Sequence, residues 1–183
     1  MSVICVFGDS ITWGAFDMEL GGWVNRLKIF YDQKRETDVY NLGVDGDYTL
    51  DVLNRFDVEA KTRIPDIIIL AIGINDSSHP SNPQGTDLSQ FESQFNQLLE
   101  KSRKFTSKIV IVGLTNVDEE AGDHGYDNSN IEKYNAVLKT ISANANLAFV
   151  ELFNTLVKED FADGLHPNAN GHQKIFEKVK ETL

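Results

Sequence analysis

The sequence predicts an α/β fold, a three-layer α/β/α sandwich around a five-stranded parallel sheet. Short apolar runs alternate along the chain with longer segments whose apolar residues recur at helical spacing. Strands separated by helix-length segments pair in parallel, and their right-handed crossovers place helices on both faces of the sheet. The 183 residues contain no internal repeat, low-complexity tract or linker, so residues 1–183 are expected to form a single domain.

The first half of the chain contains three predicted strands and two predicted helices. Residues 3–7 and 38–42 are short strand candidates. Residues 67–72 form the most continuous apolar run, which is typical of a central strand that is buried on both faces. Between these strands, residues 23–31 are predicted to form one helix. Residues 49–58 are predicted to form another, because their apolar side chains fall at helical spacing.

The second half of the chain continues the alternation. Asp87 is a predicted helix cap, because Gln90 lies three residues further on and an apolar stripe follows. The members of that stripe are Leu88, Phe91, Phe95, Leu98 and Leu99. The remaining strands are predicted at residues 108–112 and 147–150, and the remaining helices at residues 128–145 and 168–183.

The charge of the chain argues against two classes of partner. Acidic residues outnumber basic ones by 28 to 17, which gives a formal net charge of −11. Such a surface repels phosphate backbones and anionic membrane surfaces, so neither a nucleic acid nor a membrane is an expected partner.

Cysteine content and hydropathy narrow the class further. Cys5 is the single cysteine, which excludes an intrachain disulfide framework and a cysteine-rich zinc site. The longest apolar run is far too short to span a bilayer. The first apolar segment begins almost at Met1 with no basic residue before it, which does not fit a signal peptide of ordinary length. A cytoplasmic protein is therefore expected.

Four polar segments follow predicted strands, at the sheet edge where parallel α/β proteins bind ligands. The first is Gly-Asp-Ser-Ile-Thr at residues 8–12, in which Ser10 can present a hydroxyl and, beside a helix start, a free backbone N–H. In the second, Gly43 and Gly46 allow a tight turn and a close approach to a ligand. In the third, Asn75 can aim an amide donor at the same edge. Taken alone, each segment also fits an ordinary turn or helix cap.

The fourth segment is Asp-Gly-Leu-His-Pro at residues 163–167. Asp163 can reach the ring N–H of His166 within a tight turn, and Pro167 fits the first turn of the closing helix. Together the four segments supply a nucleophile, donors for an oxyanion, a general base and a group that orients the base.

In this order, the four segments resemble the four signature blocks of the SGNH, or GDSL, family of serine esterases and lipases. The resemblance implies a flavodoxin-like fold with Ser10 as nucleophile, His166 as general base and Asp163 as the third member of the triad. It also implies an oxyanion hole that combines the Ser10 backbone N–H with Gly46 and Asn75. The first block is Gly-Asp-Ser-Ile rather than Gly-Asp-Ser-Leu, a conservative change, and no implied catalytic position departs from the family pattern.

The resemblance implies hydrolysis of a small-molecule carboxylic ester through an acyl-enzyme on Ser10, without a metal or an organic cofactor. The short chain has no lid domain and no large apolar insertion, which favours a small acyl group. A thioesterase or lysophospholipase that uses the same triad is the alternative. Trp13 and His79 are candidate substrate contacts, and the long loops at residues 77–86 and 116–127 are expected on the same side of the sheet.

Two other classes of protein fit parts of the sequence. A dinuclear metallophosphoesterase could use Asp9, Asn75, Asp76 and His166 as ligands, but such a site needs several histidines at short spacing. The four histidines of the chain form no His-x-His or Asp-x-His pair. A flavin- or nucleotide-binding module would carry a Gly-x-Gly-x-x-Gly or Gly-Lys-Ser/Thr loop, and the sequence contains neither. A serine esterase is therefore favoured.

Overall fold

Strands and helices alternate through the computed structural model, which describes residues 2–34, 37–78, 85–121 and 125–183. The strands are β1 (Ser2–Gly8), β2 (Thr37–Gly43), β3 (Ile67–Ala71), β4 (Ile109–Val112) and β5 (Ala148–Val150). The helices are α1 (Ser10–Trp13), α2 (Trp23–Asp32), α3 (Thr49–Arg63), α4 (Leu88–Ser102), α5 (Asn128–Ala145) and α6 (Ala169–Thr182). A single 3₁₀ turn, Lys158–Asp160, lies between β5 and α6.

The five strands are all parallel and lie in the order β2-β1-β3-β4-β5. The sheet therefore grows outwards from β1 in both directions. Right-handed crossovers in opposite directions place their helices on opposite faces of a sheet. Accordingly α2 packs against α6 in one layer, while α3, α4 and α5 pack in series in the other. The predicted three-layer α/β/α sandwich with five parallel strands is confirmed.

The strand order creates a crevice beside β1. The neighbours of β1 are β2 on one side and β3 on the other, so the direction of the crossovers reverses at β1. In open α/β sheets, ligands bind outside the carboxyl ends of the strands at such a reversal. Ser10 lies two residues after the end of β1, and Asn75 lies in the turn after β3. Both residues therefore flank the crevice.

The apolar stripes of the sequence become the packing faces of the helices. On α4, Phe91, Phe95, Leu98 and Leu99 are buried as predicted, whereas Leu88 in the first turn is exposed. The predicted cap of this helix is also present, because the Asp87 side chain accepts a hydrogen bond from the backbone N–H of Gln90. Burial of these four side chains against the sheet holds α4 in its layer.

Two helices differ from the prediction. The third helix continues to Arg63 instead of ending at residue 58, because residues 59–63 include Glu, Ala, Lys and Arg, which all favour helix. It ends at Ile64, which adopts a φ of 51° directly before Pro65. The short helix α1 was not predicted as a separate element, since four residues are too few to show a helical period.

Pro167 does not lie in the first turn of the closing helix, and that prediction is wrong. Pro167 forms an isolated antiparallel bridge with Phe161. Asn168 then caps α6, because its side chain accepts hydrogen bonds from the N–H groups of Asn170 and Gly171. The bridge closes the base of the loop that carries Asp163 and His166.

The structure describes the two long loops only in part. Residues 79–84 and 122–124, within the loops predicted at 77–86 and 116–127, lie outside the described residues. His79 is among them, so its predicted contact with substrate stays a prediction. In the ranges that are described, no helix combines the length and the apolar character that a membrane crossing requires.

Candidate active site

The turn after β1 presents Ser10 at the start of a helix. The Asp9 carboxylate caps α1 by accepting a hydrogen bond from the Ile11 N–H at 3.0 Å. Ser10 is the first residue of α1, so its own N–H has no partner within the helix, and no described residue accepts a hydrogen bond from it. Gly8 is required here because a Cβ atom would overlap the Thr12 side chain and the Ala71 carbonyl.

Ser10, His166 and Asp163 form a continuous hydrogen-bonded chain. The Ser10 Oγ atom lies 3.1 Å from His166 Nε2, and His166 Nδ1 lies 2.8 Å from Asp163 Oδ2. A carboxylate only accepts, so the neutral imidazole carries its proton on Nδ1 and donates it to Asp163. The Nε2 atom is then the acceptor for the Ser10 hydroxyl, as a general base requires.

The Asp163 carboxylate is held in its charged form by hydrogen bonds. Burial raises the pKa of Asp163, but hydrogen bonds from the His166 N–H, the His166 ring and the Leu165 N–H together outweigh burial and lower it. The two backbone bonds to Oδ1 measure 2.7 Å from His166 and 3.0 Å from Leu165. The same carboxylate thus shapes the turn and orients the imidazole.

The loop that carries Asp163 and His166 is anchored at two further points. The Ala162 N–H donates to the His166 carbonyl at 2.9 Å, next to the bridge between Phe161 and Pro167. At its tip, Gly164 adopts a φ of 92° and its carbonyl accepts from the Asp118 N–H at 2.8 Å. These contacts hold the backbone of the loop on both sides of Asp163 and His166.

The turn after β2 supplies a second free backbone donor. The Asp47 N–H donates to the Val44 carbonyl at 3.2 Å, and Gly46 has a φ of 78° in the third position of the turn. No described residue accepts a hydrogen bond from the Gly46 N–H. The Val44 N–H in turn donates to the Gly8 carbonyl at 3.1 Å, which brings this turn next to the Ser10 segment.

Of the two predicted close-approach glycines, Gly43 serves packing rather than ligand binding. A Cβ atom on Gly43 would overlap the backbone of Thr12 and Trp13, so this glycine lets the end of β2 pack directly on α1. A Cβ atom on Gly46 would meet no heavy atom within 4 Å. Gly46 is therefore required for its positive φ and not for a close approach of another segment.

Asn75 brings a side-chain amide to the same place. Its Nδ2 atom donates to the Asp47 carbonyl at 2.9 Å, directly after Gly46. The second proton on Nδ2 has no acceptor among the described residues. The structure thus brings together Ser10, Gly46 and Asn75 around one crevice, each with an N–H that remains available to a ligand.

Comparison with known proteins identifies the family. The model of the GDSL-like lipase/acylhydrolase family matches residues 6–174. The chain belongs to this family. The resemblance inferred from the four sequence segments is therefore confirmed, and this is a family of ester-hydrolysing enzymes.

Individual relatives of this GDSL-family chain agree with that assignment. A multidomain esterase from Ruminococcus flavefaciens is 27% identical over 215 residues, which cover 94% of this chain and 27% of that protein's length. A lipase/acylhydrolase from Enterococcus faecalis is 25% identical, with a TM-score of 0.83 over 99% of this chain and 94% of the other. An acetylxylan esterase from Geobacillus stearothermophilus shares the fold, with a TM-score of 0.83 at 20% identity over 99% of this chain and 93% of the other.

An arginine that the sequence analysis did not single out braces the Gly46 turn of this GDSL-family chain. The guanidinium of Arg55, on α3, donates to the Gly8 and Leu42 carbonyls at 3.2 and 2.8 Å, at the ends of β1 and β2. It also donates to the Asp47 carboxylate at 2.8 Å. A fork of rigid donors can tie three backbone segments in this way, which a lysine could not do. No local pattern marks Arg55, because its partners are distant in sequence.

Two buried carboxylates lie beneath the site. Burial raises the pKa of Asp9 to about 7, with a smaller contribution from the negative charge of Asp76. Burial also raises the pKa of Asp76, whose Oδ2 accepts from the Thr49 N–H and hydroxyl, each at 2.9 Å. Through these hydrogen bonds Asp9 caps the helix that begins at Ser10, and Asp76 ties the start of α3 to the turn after β3. Across the described part of the chain, no group of three or more His, Cys, Asp or Glu side chains is arranged to hold a metal ion.

Beside His166 an apolar groove opens to solvent. It has a volume of about 570 Å³ and is lined in part by Trp13, Phe16, Met18 and Tyr40. Trp13, a predicted substrate contact, is 58% exposed on its wall. The ring of Phe16 stacks on the His166 imidazole and joins the groove to the triad residues. Phe16 was missed in the sequence because its position depends on a φ of 64°, which no sequence pattern marks.

Proposed function

We propose that this protein hydrolyses a carboxylic ester through an acyl-enzyme on Ser10. The observation that carries the proposal is the chain of hydrogen bonds from Ser10 Oγ to His166 Nε2 at 3.1 Å and from His166 Nδ1 to Asp163 at 2.8 Å. A nucleophile, a base within hydrogen-bond reach and a group that orients the base are the combination needed to activate a serine. Family membership supports the same reaction.

Acylation follows from this geometry. Ser10 Oγ forms a bond to the ester carbonyl carbon while its proton moves to His166 Nε2, and Asp163 stabilises the resulting imidazolium. The carbonyl oxygen becomes an oxyanion that accepts hydrogen bonds from the backbone N–H groups of Ser10 and Gly46 and from Asn75 Nδ2. The bond to the leaving oxygen then breaks, and His166 returns its proton to the departing alcohol.

Deacylation repeats the sequence with water in place of the serine hydroxyl. His166 removes a proton from water as the water oxygen bonds to the acyl carbon. The bond to Ser10 Oγ breaks, the proton passes to Ser10, and the carboxylic acid leaves. The same three donors stabilise the second oxyanion, so one arrangement serves both steps.

A small acyl group on a small-molecule ester is the proposed substrate. One structural relative is named an acetylxylan esterase, and an acetyl group is a small acyl group. The described part of the chain adds no lid domain to the sandwich. We further propose that residues 1–183 act as one catalytic domain.

The apolar groove supports a second candidate, a thioesterase or lysophospholipase that uses the same triad. Trp13, Phe16 and Met18 are exposed on a groove that adjoins His166. Each methylene group of a hydrocarbon chain that is buried in this groove would stabilise the complex by about 0.8 kcal/mol. A long acyl chain would therefore raise the affinity for the substrate.

A panel of p-nitrophenyl esters from acetate to palmitate, extended with acetylated sugars, acyl thioesters and a lysophospholipid, separates the two candidates. The esterase proposal predicts the highest kcat/KM for acetate or an acetylated sugar, with a fall as the acyl chain lengthens. A maximum at a long chain, or on a thioester, would favour the second candidate. Labelling with a fluorophosphonate should place one adduct on the peptide that contains Ser10, and an adduct elsewhere would overturn both.

A further inference from the structure

The Asn75 side-chain amide is held from both ends. Its Nδ2 atom donates to the Asp47 carbonyl at 2.9 Å, and its Oδ1 atom accepts from the Tyr126 hydroxyl at 2.8 Å. Asn75 is buried. Of the three donors that face the crevice, this one alone belongs to a side chain, so its direction depends on contacts made by that side chain.

The contact with the Asp47 carbonyl also decides the orientation of the amide. A backbone carbonyl can only accept, so the end beside Asp47 must be the nitrogen. The other end is then the oxygen, and the Tyr126 hydroxyl donates to it. Rotation of the amide by half a turn would set two oxygen atoms against each other at Asp47, and the Tyr126 hydroxyl would then face the amide nitrogen as an acceptor instead of donating to the amide oxygen.

The position of Tyr126 is itself fixed by the start of α5. The next residue, Asp127, caps this helix by accepting from the Asn130 N–H at 2.8 Å. From the same first turn, Asn130 Nδ2 donates to the Ser77 carbonyl at 2.8 Å. Residues at the beginning of α5 therefore form hydrogen bonds with the turn that carries Asn75 at two points, which are Oδ1 of Asn75 and the carbonyl of Ser77.

The Tyr126 hydroxyl remains a donor across the working range of an esterase. Burial raises the pKa of Tyr126 to about 12, with smaller contributions from Tyr48, Asp9 and Asp76. A tyrosine that stays protonated can keep donating to Asn75 Oδ1. Hydrogen bonds in a chain polarise one another, so donation to the amide oxygen makes the amide N–H a stronger donor.

We propose that Tyr126 is a positioning residue for the oxyanion hole, because its hydroxyl directs and polarises the Asn75 amide before the oxyanion forms. The inference rests on the proposed function, in which Asn75 contacts the oxyanion. Preorganised donors stabilise the transition state because they need no reorientation when the charge develops. Loss of the Tyr126 hydroxyl should then affect turnover and leave binding of the ester nearly unchanged.

The test begins with Tyr126→Phe and p-nitrophenyl acetate, with rates expressed per active site titrated with a fluorophosphonate. We expect kcat to fall roughly 10-fold and KM to stay within about twofold, a smaller loss than removal of a whole donor causes. The matched control is Tyr134→Phe, since Tyr134 also lies at the α5 layer, is buried and donates through its hydroxyl to the Thr86 carbonyl. Its kcat per titrated site should equal that of the wild type.

A double-mutant cycle with Asn75→Ala separates positioning from a structural role. Asn75→Ala should lower kcat about 10²–10³-fold. In that background Tyr126→Phe should have no further effect on kcat, because the hydroxyl then has no amide to direct. The inference is overturned if Tyr126→Phe lowers kcat equally in both backgrounds, leaves kcat unchanged in the wild-type background, or reduces only the titrated fraction. If Asn75→Ala itself leaves kcat unchanged, the oxyanion role in the proposed function fails instead.

Discussion

The ring of Phe16 stacks on the imidazole of His166, with the ring centroids 5.1 Å apart and the planes inclined by 29°. Phe16 adopts a φ of 64°, a region that costs a non-glycine residue free energy. The loop between α1 and α2 keeps Phe16 in this conformation because the next residue, Asp17, is held by hydrogen bonds and an ion pair. The Asp17 carboxylate accepts from the Gly22 N–H at 2.8 Å and pairs with Arg26, and both partners are buried.

Replacement of Phe16 by Leu should lower kcat. The negative face of an aromatic ring stabilises a cation, and His166 becomes a cation as it takes the proton of Ser10. Such a contact is worth about 0.5–1 kcal/mol at an exposed site, so kcat for p-nitrophenyl acetate should fall roughly 2- to 5-fold. Leu20→Ala, which removes an exposed apolar side chain from the same loop, is the control and should leave kcat unchanged. Equal rates for Phe16→Leu and the wild type would show that the stacking does not assist proton transfer.

Ser10→Ala should fold normally and lose nearly all hydrolysis. Thr12, the other hydroxyl of the segment, cannot take over, because its Oγ1 is buried and donates to the Ala71 carbonyl at 3.2 Å. The measurement is the steady-state rate on p-nitrophenyl acetate, together with circular dichroism to confirm the fold. The control for loss of a hydroxyl is Ser142→Ala, because Ser142 is a buried residue of α5 whose hydroxyl donates to the Leu147 carbonyl. Near wild-type activity in pure Ser10→Ala would exclude Ser10 as the nucleophile.

Asp163→Asn should lower kcat by about 10³–10⁴-fold with little change in KM, because the amide no longer fixes the Nδ1–H tautomer or stabilises the imidazolium. The rate should be measured from pH 5 to 9. The lowered pKa of Asp163 means that its carboxylate is charged throughout this range, so the loss should persist at every pH. Asp87→Asn, at the cap of α4, is the matched control. An unchanged rate would show that another group orients His166.

Asp9→Asn should change how stability depends on pH. The folded-state pKa of Asp9, about 7, lies above the unfolded value near 3.8, so the folded protein binds more protons between these two pKa values. The free energy of unfolding contributed by Asp9 therefore falls as pH rises through this window. Asp9→Asn keeps a helix-capping side chain and removes the buried charge.

Chemical denaturation at pH 5 and pH 8 measures this effect. Relative to wild type, Asp9→Asn should gain on the order of 2 kcal/mol of stability between the two pH values, since one pKa unit corresponds to about 1.4 kcal/mol. The exposed Asp32→Asn serves as control and should show no such gain. A constant difference between Asp9→Asn and the wild type at the two pH values would contradict the raised pKa of Asp9.

The sequence was informative about the site wherever a short segment carries the chemistry. Ser10 and Asn75 each follow a strand whose apolar run is visible in the sequence. Because the strands are parallel, their carboxyl ends meet at one sheet edge, and the placement of these side chains follows. Asp163 and His166 are three residues apart, so their hydrogen bond was also predictable from local spacing.

The residues that were missed make their decisive contacts across long stretches of chain. Arg55 bonds the ends of two strands that precede α3, and Tyr126 meets Asn75 across 51 positions. The Phe16 contact depends on a backbone conformation that phenylalanine rarely adopts. Neither the period of the apolar residues nor a signature segment reports such contacts.

By itself, the sequence determined the order of strands and helices, the parallel sheet and the four polar segments, because apolar period and turn chemistry are local properties of the chain. Only the tertiary structure decided that Ser10 and His166, 156 positions apart, lie 3.1 Å from each other. It also decided which N–H groups remain available beside them and that Phe16 covers the imidazole. The physical reason is that such contacts depend on the sheet order and on the path of each loop, which are set by the packing of the whole chain.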